Sequence, residues 1–190
     1  MHGFYEDKTY IIGCYGNPKE ERTIQDYYER IGKQNHVPLE SRWCHCAVMF
    51  YEDGWKVIES QRQSGVAIYN YIDWLIKSDD MVHIEAYEYA IDTKKCKTLI
   101  GAKFPARYVI YNMYQAKYPK VKKHNGVYCS ELIGLCDGAN TSEPALSHPS
   151  DFQVECLKQG KDAIVIRHID EDTALSSSKM KTLSPMFSGG

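Results

Sequence analysis

"HCAVMFYEDGWKVIES", residues His45 to Ser60, is the stretch on which the fold turns. Both halves are rich in β-branched and aromatic residues, and Asp53-Gly54 between them is a strong hairpin signal. Its register has two solutions. A two-residue Asp-Gly turn puts Glu59 on the face opposite His45, because a one-residue slip moves every side chain across the sheet. A three-residue loop, Glu52-Asp53-Gly54 with glycine in the left-handed position, pairs Tyr51 with Trp55 and Ala47 with Glu59. Glu59 is then a diagonal neighbour of His45, and at roughly 7–8 Å two long side chains meet.

Outward from the hairpin, "TYIIGCYG" (9–16) reads as a first strand, closed by Gly16-Asn17-Pro18. "TIQDYYERIGKQN" (23–35) reads as a short helix, with Thr23 as N-cap and Gly32 near its end. Val66 to Trp74 suggests a short helical turn, and "MVHIEAYEYA" (81–90) a third long strand. Phe104 to Lys117 carries an aromatic and aliphatic helical face, and "DAIVIRHI" (162–169) reads as a late, buried strand. Strands and helices mix without regular βαβ alternation, so the expected class is α+β: a mostly antiparallel sheet or partial barrel packed on helices. Residues 171–190 are Ser-rich and weakly apolar and are expected to form a flexible tail after a domain spanning 1–170.

The second decisive stretch is "GVYCSELIGLC", Gly126 to Cys136. Cys129, Leu132, Ile133 and Cys136 fall at i, i+3, i+4 and i+7, one face of a helix that Cys129 opens. Glu131 in the first turn suits the positive end of the helix dipole, and the same dipole favours a thiolate at Cys129. Two readings follow: a buried structural thiol, or a nucleophile in need of a base. A base has to come from elsewhere in the chain, because no histidine lies at a useful local spacing.

With 190 residues and 43% apolar content the chain suits one domain with a proper core. A net charge of −2 gives no reason to expect nucleic acid as a partner. Seven cysteines, an odd number without paired spacing, and no apolar run in "MHGFYEDKTY" point to a reduced, cytoplasmic setting with no signal peptide and no transmembrane segment. Cys44 and Cys46 with Cys14 raise a zinc site, but successive strand residues point to opposite faces and no fourth ligand is evident; no metal and no cofactor are expected. The lysines at 117, 120, 122 and 123 read as a solvated turn or as a lure for an anionic substrate.

Of seven histidines, His2 lies at a terminus, His36 and His124 in polar connections, and His83 and His168 within strands. His45 stands apart because its hairpin partner carries Glu59. A histidine opening a strand in "SRWCHCAVMF" (41–50), a hairpin ending in "WKVIES" (55–60) and the downstream "VYCSELI" (127–133) together resemble the circularly permuted NlpC/P60 superfamily. That papain-like group includes YiiX-like proteins, poxviral relatives and the lecithin retinol acyltransferases. In it the histidine precedes the cysteine, the reverse of papain and the order found here. The likeness spans roughly Tyr10 to His168, and "SHPSDFQ" (147–153) resembles the proline-and-aspartate helix start of YiiX-like members.

The resemblance implies Cys129 as nucleophile, His45 as general base and Glu59 as the group orienting the imidazole. It also implies a papain-like fold with the nucleophile at a helix N-terminus. The Cys129 backbone N–H, with Tyr128 as a second donor, would hold the oxyanion. Two departures stand out. Cys44 and Cys46 flank the histidine where the family has a small or apolar neighbour, and Glu59 replaces the histidine of the acyltransferase branch, which favours the YiiX-like branch. The bland alternatives are a solvent-facing Glu59 and a Tyr128 that only packs. The expected function is a cysteine hydrolase, a peptidase or amidase, working through an acyl-cysteine on a peptide, amide or acyl-ester substrate. An acyltransferase or lipid thioesterase is the variant within that class. The alternative outside it is a non-catalytic binding module, virion-associated if viral or phage.

Overall fold

A computed structural model describes residues 3–16, 43–106, 125–137 and 149–169. Among them the chain is α+β, with a sheet of six strands in the order β4-β3-β2-β1-β5-β6 and every neighbouring pair antiparallel. The strands are β1 (Thr9–Tyr15), β2 (His45–Tyr51), β3 (Trp55–Gln61), β4 (Gly65–Asn70), β5 (His83–Glu88) and β6 (Ile164–His168). The described helices are α1 (Tyr71–Lys77), α2 (Thr93–Thr98), α3 (Cys129–Cys136) and α4 (Pro149–Lys158).

The central strands β1 and β2 are apolar at nearly every position because both faces of the sheet are covered. On one face Ile11, Cys46, Val48, Phe50 and Ile58 pack with Leu132, Ile133 and Cys136 of α3, Cys96 of α2 and Phe152 of α4. On the other, Tyr10, Ile12, Cys14, Ala47, Met49 and Val57 pack with Tyr71 and Trp74 of α1. The core positions expected from the sequence, Ala47, Val48, Phe50, Val57, Ile58, Leu132, Ile133 and Cys136, are all buried.

The β2–β3 hairpin takes the three-residue loop, with Tyr51 opposite Trp55 and Ala47 opposite Glu59. Two residues share the left-handed work rather than glycine alone: Asp53 has φ 49° and Gly54 φ 109°. Aspartate is among the side chains that tolerate this region. Val66–Asn70, expected as part of a helical turn, is instead edge strand β4, and the helix begins only after Asn70. Pairing along β3 from Lys56↔Asn70 to Gln61↔Gly65 outweighs the helical spacing. β6 is not the buried strand expected: Val165 is 57% exposed, because among the described residues β6 forms the sheet edge and has a neighbour on one side only. The expected helices over 23–35 and beyond Ala106, the turn after Gly16, the lysines at 117–123, Ser147-His148 and the tail at 171–190 lie outside the described residues.

Candidate active site

His45 is the first residue of β2, so its placement depends on how that strand starts. Trp43 lies flat on β1, where a Cβ at Gly13 would stand 1.8 Å from the indole ring; only glycine allows this contact. The Trp43 indole N–H donates to Glu85 Oε1 at 2.8 Å, and the Ser150 hydroxyl of α4 donates to the Trp43 carbonyl at 3.0 Å. The Cys44 N–H donates to the Cys14 carbonyl at 3.0 Å. The strand entrance is therefore pinned to β1, β5 and α4.

Cys129 is brought to it by α3. Val127 N–H donates to the Lys103 carbonyl at 2.9 Å, and the Ser60 hydroxyl of β3 donates to the Val127 carbonyl at 2.5 Å. A Cβ at Gly126 would stand 2.4 Å from the Lys103 carbonyl oxygen, so this close approach also requires glycine. Tyr128 is the N-cap in extended conformation, and its N–H donates to Glu131 Oε2 at 3.2 Å, a carboxylate satisfying an orphan donor of the first turn. Leu132, Ile133 and Cys136 are fully buried against β2 and β3, which seats the start of α3 on the strand entrance.

Glu59 arrives from the other face. It shares that face with Ala47 by register and is fully buried, which excludes the solvent-facing reading. Its Oε2 is 2.9 Å from His45 Nε2 and also accepts the Trp74 indole N–H at 2.9 Å. Its Oε1 lies 3.4 Å from Lys77 Nζ. Trp74 and Lys77, three apart on α1, thus hold the carboxylate from one helix face.

At the start of β2 the two faces meet through the imidazole. His45 bonds Glu59 through Nε2, which leaves Nδ1 for Cys129, the group that together with Glu59 raises the ring. Cys46 acts on the Cys129 sulfur from β2, through its thiol and its backbone N–H. The Cys46 bonds, with those from His45, hold the Cys129 thiol well below the usual thiol range although burial works the other way. Burial alone would lower His45, but its hydrogen bonds to Cys129 and Glu59 push it up to about 10. Burial would raise Glu59, and the opposing pull of His45, Trp74 and Lys77 leaves it below its usual value. Burial, with the bond to Cys129, keeps the Cys46 thiol protonated well above its usual value. With the Cys129 thiol lowered and His45 raised, the shifts favour a thiolate–imidazolium pair backed by a carboxylate, an arrangement able to attack an electrophilic carbon and return a proton.

The fold thus gathers Cys129, His45 and Glu59 in one constellation, with Tyr128 capping the helix beside them. His83 and His168 pair with each other at 3.1 Å between Nδ1 atoms on β5 and β6. Among the described residues no three His, Cys, Asp or Glu side chains converge on a metal-ion position, and no helix is long and apolar enough to cross a membrane. Sequence reasoning missed Trp74, Lys77 and the part played by Cys46. For Cys46 the signal was there: strand alternation sets it opposite Glu59, on the face that a cysteine-led helix would cover. No protein-family model, curated protein or solved structure matches this chain.

Proposed function

We propose that the chain is a papain-like thiol hydrolase of the circularly permuted NlpC/P60 type, a peptidase or amidase working through an acyl-cysteine. The observation that carries the reading is the relay Cys129–His45–Glu59, with the sulfur at a helix N-terminus and the carboxylate 2.9 Å from the far ring nitrogen. The Cys129 thiolate attacks the substrate carbonyl carbon, and the oxygen gains the negative charge beside the Cys129 backbone N–H and the dipole of α3. Tyr128 is the second oxyanion donor in this reading. The His45 imidazolium gives its proton to the leaving nitrogen as the C–N bond breaks. Neutral His45 then takes a proton from water, whose oxygen attacks the acyl carbon and frees the acid and Cys129. Glu59 stays ionised throughout, fixing the tautomer and supporting the imidazolium.

Peptides, cell-wall fragments, ubiquitin-like conjugates and acyl lipids, screened side by side with wild type and Cys129→Ala, test the reading. Hydrolysis that disappears in the alanine variant, with an acyl adduct on the wild-type chain, supports it. Transfer of the acyl group to an added amine or alcohol in preference to water assigns the chain to the acyltransferase variant. Hydrolysis that the alanine variant keeps in full ends the thiol mechanism.

A further inference from the structure

β5 and β6 meet through a pair of histidines that the proposed hydrolase does not use. His83 and His168 stand directly opposite each other in the register, and their Nδ1 atoms lie 3.1 Å apart. The His83 ring is held from two further directions. Tyr15 of β1, opposite it in the register, stacks on it with 4.9 Å between ring centroids and 14° between planes. Glu85, two residues along β5 and on the same face, sets its Oε2 3.2 Å from His83 Nε2. Glu85 is itself buried, and its Oε1 accepts the Trp43 indole N–H at 2.8 Å and the Gln153 side-chain amide at 2.6 Å. The carboxylate is thus fixed by two neighbours and accepts the His83 Nε2–H with its second oxygen. His83 then carries its proton on Nε2 and turns the lone pair of Nδ1 toward His168. A carboxylate behind one ring nitrogen, with a second imidazole in front of the other, is the arrangement in which a histidine binds a metal ion.

We propose that His83 and His168 form a zinc site between β5 and β6, with both Nδ1 atoms as ligands and water completing a four-coordinate shell. Zinc binds imidazole nitrogen at about 2.0–2.1 Å, and at the tetrahedral angle two such ligands stand about 3.3 Å apart. The 3.1 Å between the two Nδ1 atoms needs to open by only a few tenths of an ångström. Zinc also has no geometric preference from its d electrons, so a narrower angle at the metal is tolerated. Without metal, His168 Nδ1–H donates to His83 Nδ1; with metal, His168 carries that proton on Nε2 instead. His168 is exposed and His83 half-buried, so the ion enters from the His168 side. With two protein ligands the site binds more weakly than a structural zinc site, which has four. Among the described residues β6 has a neighbour on one side only, and the ion ties this edge strand to β5. The site shares no residue with Cys129, His45 and Glu59 and does not depend on the hydrolase reading.

The test titrates the full-length chain, isotopically labelled at its histidine nitrogens, with zinc chloride and follows the ring nitrogens by magnetic resonance. A phosphine keeps the thiols reduced, because dithiol reductants bind zinc themselves. Two of the seven histidines are expected to respond at Nδ1, and both to read as protonated at Nε2 once zinc is bound. His168→Gln and His83→Gln are each expected to remove the response of the remaining partner. Zinc is expected to raise the melting temperature of the wild type and not that of His168→Gln, an exposed position whose loss leaves the core intact. Glu85→Gln keeps an acceptor for the Trp43 indole and is expected to weaken zinc binding by about 10–100-fold, the usual cost of losing the group behind a ligand. The same titration of Cys129→Ala sets aside zinc taken by that thiol and is expected to give the same two responses. A His83 response that persists in His168→Gln overturns the proposal. So does zinc taken up only at other histidines or at cysteines, a melting temperature raised equally in His168→Gln, or an affinity unchanged in Glu85→Gln.

Discussion

The two faces of the sheet at the start of β2 hold the site by opposite means. On the α3 face the sulfur is placed by apolar packing: Leu132, Ile133 and Cys136 are fully buried, and what lowers the thiol is Cys46, through its thiol and backbone N–H, and the imidazole. On the α1 face a buried carboxylate is placed by donors: an indole N–H and the imidazole at 2.9 Å each, and an ammonium at 3.4 Å. The difference follows from charge. A helix terminus already favours an anion at its first residue, so the sulfur needs only to be set down in the right place. A carboxylate within a sheet has no such field and stays ionised only if its oxygens are satisfied individually. His45 joins the two, and the proposed chemistry depends on both sides.

The largest expected effect breaks the connection itself. Cys129→Ala and His45→Ala are each expected to cost roughly 10⁴-fold or more in kcat/KM, and the double variant no more than either alone, because nucleophile and base act as one unit. Steady-state kinetics on the substrate found by screening checks this; losses that multiply in the double variant would separate the two residues. On stability the α3 face predicts a contrast. Cys129→Ala is expected to lose on the order of 1 kcal/mol, since a methyl replaces most of what the partly exposed thiol packs against. Leu132→Ala, in the same helix but fully buried, is expected to lose about 2–5 kcal/mol by chemical denaturation.

The α1 face is tested next through its charge. Glu59→Gln keeps an acceptor for the Trp74 indole and removes the negative charge, so the chain is expected to fold. Activity is expected to fall on the order of 10²-fold, the low end of what a positioned acid–base partner contributes. In wild type the alkaline limb of kcat/KM is expected where His45 loses its proton, at about 10. Removing the Glu59 charge takes away one of the influences that raise His45, so the limb moves to lower pH. The acid limb follows the lowered Cys129 thiol and is expected to move little. Stability carries the same signs. The part due to His45, raised from 6.5, is full below that value and is lost as pH climbs through about 10. The part due to Cys129, lowered from 9.0, is present above that value and is lost as pH falls through the lowered one. An unmoved alkaline limb in Glu59→Gln would show that the carboxylate does not support the imidazolium.

The same contrast explains how far the sequence could be read. The α3 face was legible because apolar packing leaves a period: Cys129, Leu132, Ile133 and Cys136 recur on one helical face, and all but the first are fully buried. The His45–Glu59 contact was legible only as one of two registers, and Asp53-Gly54 did not choose between them; the chain chose by giving Asp53 as well as Gly54 a positive φ. The donors to Glu59 left no such trace. Trp74 and Lys77 sit in a short helix whose first half the sequence runs together with Val66–Asn70 as one helical turn, and nothing in the spacing of "YIDWLIK" marks an indole N–H turned to a carboxylate on β3. Polar placement depends on single contacts set by tertiary structure, whereas apolar placement repeats along the chain.

The smallest expected effect lies at the outer rim of the α1 face, and it sharpens the comparison most. Lys77 is the one donor to Glu59 among the described residues whose side chain is substantially exposed, at 40%, and it divides itself between Glu59 Oε1 at 3.4 Å, Gln61 Oε1 at 2.8 Å and the Tyr69 hydroxyl at 3.0 Å. Its ammonium also lies 4.3 Å from the centre of the Tyr69 ring. Lys77→Met keeps the length and packing of the stem and removes the charge. The expected loss of stability is below about 1 kcal/mol, because an exposed ammonium is already shared with water. The loss is expected to shrink further as salt rises, since charges facing solvent are screened over about 10 Å at 0.1 M. The Glu59→Gln defect, by contrast, arises between a fully buried carboxylate and a mostly buried imidazole, 15% exposed, and is expected to change little across that range. Denaturation and kinetics of both variants at low and high salt measure the two slopes together. Equal defects with equal salt dependence would mean that the carboxylate is held chiefly by the rim ammonium, and that the indole and imidazole at 2.9 Å are followers of its position rather than its cause.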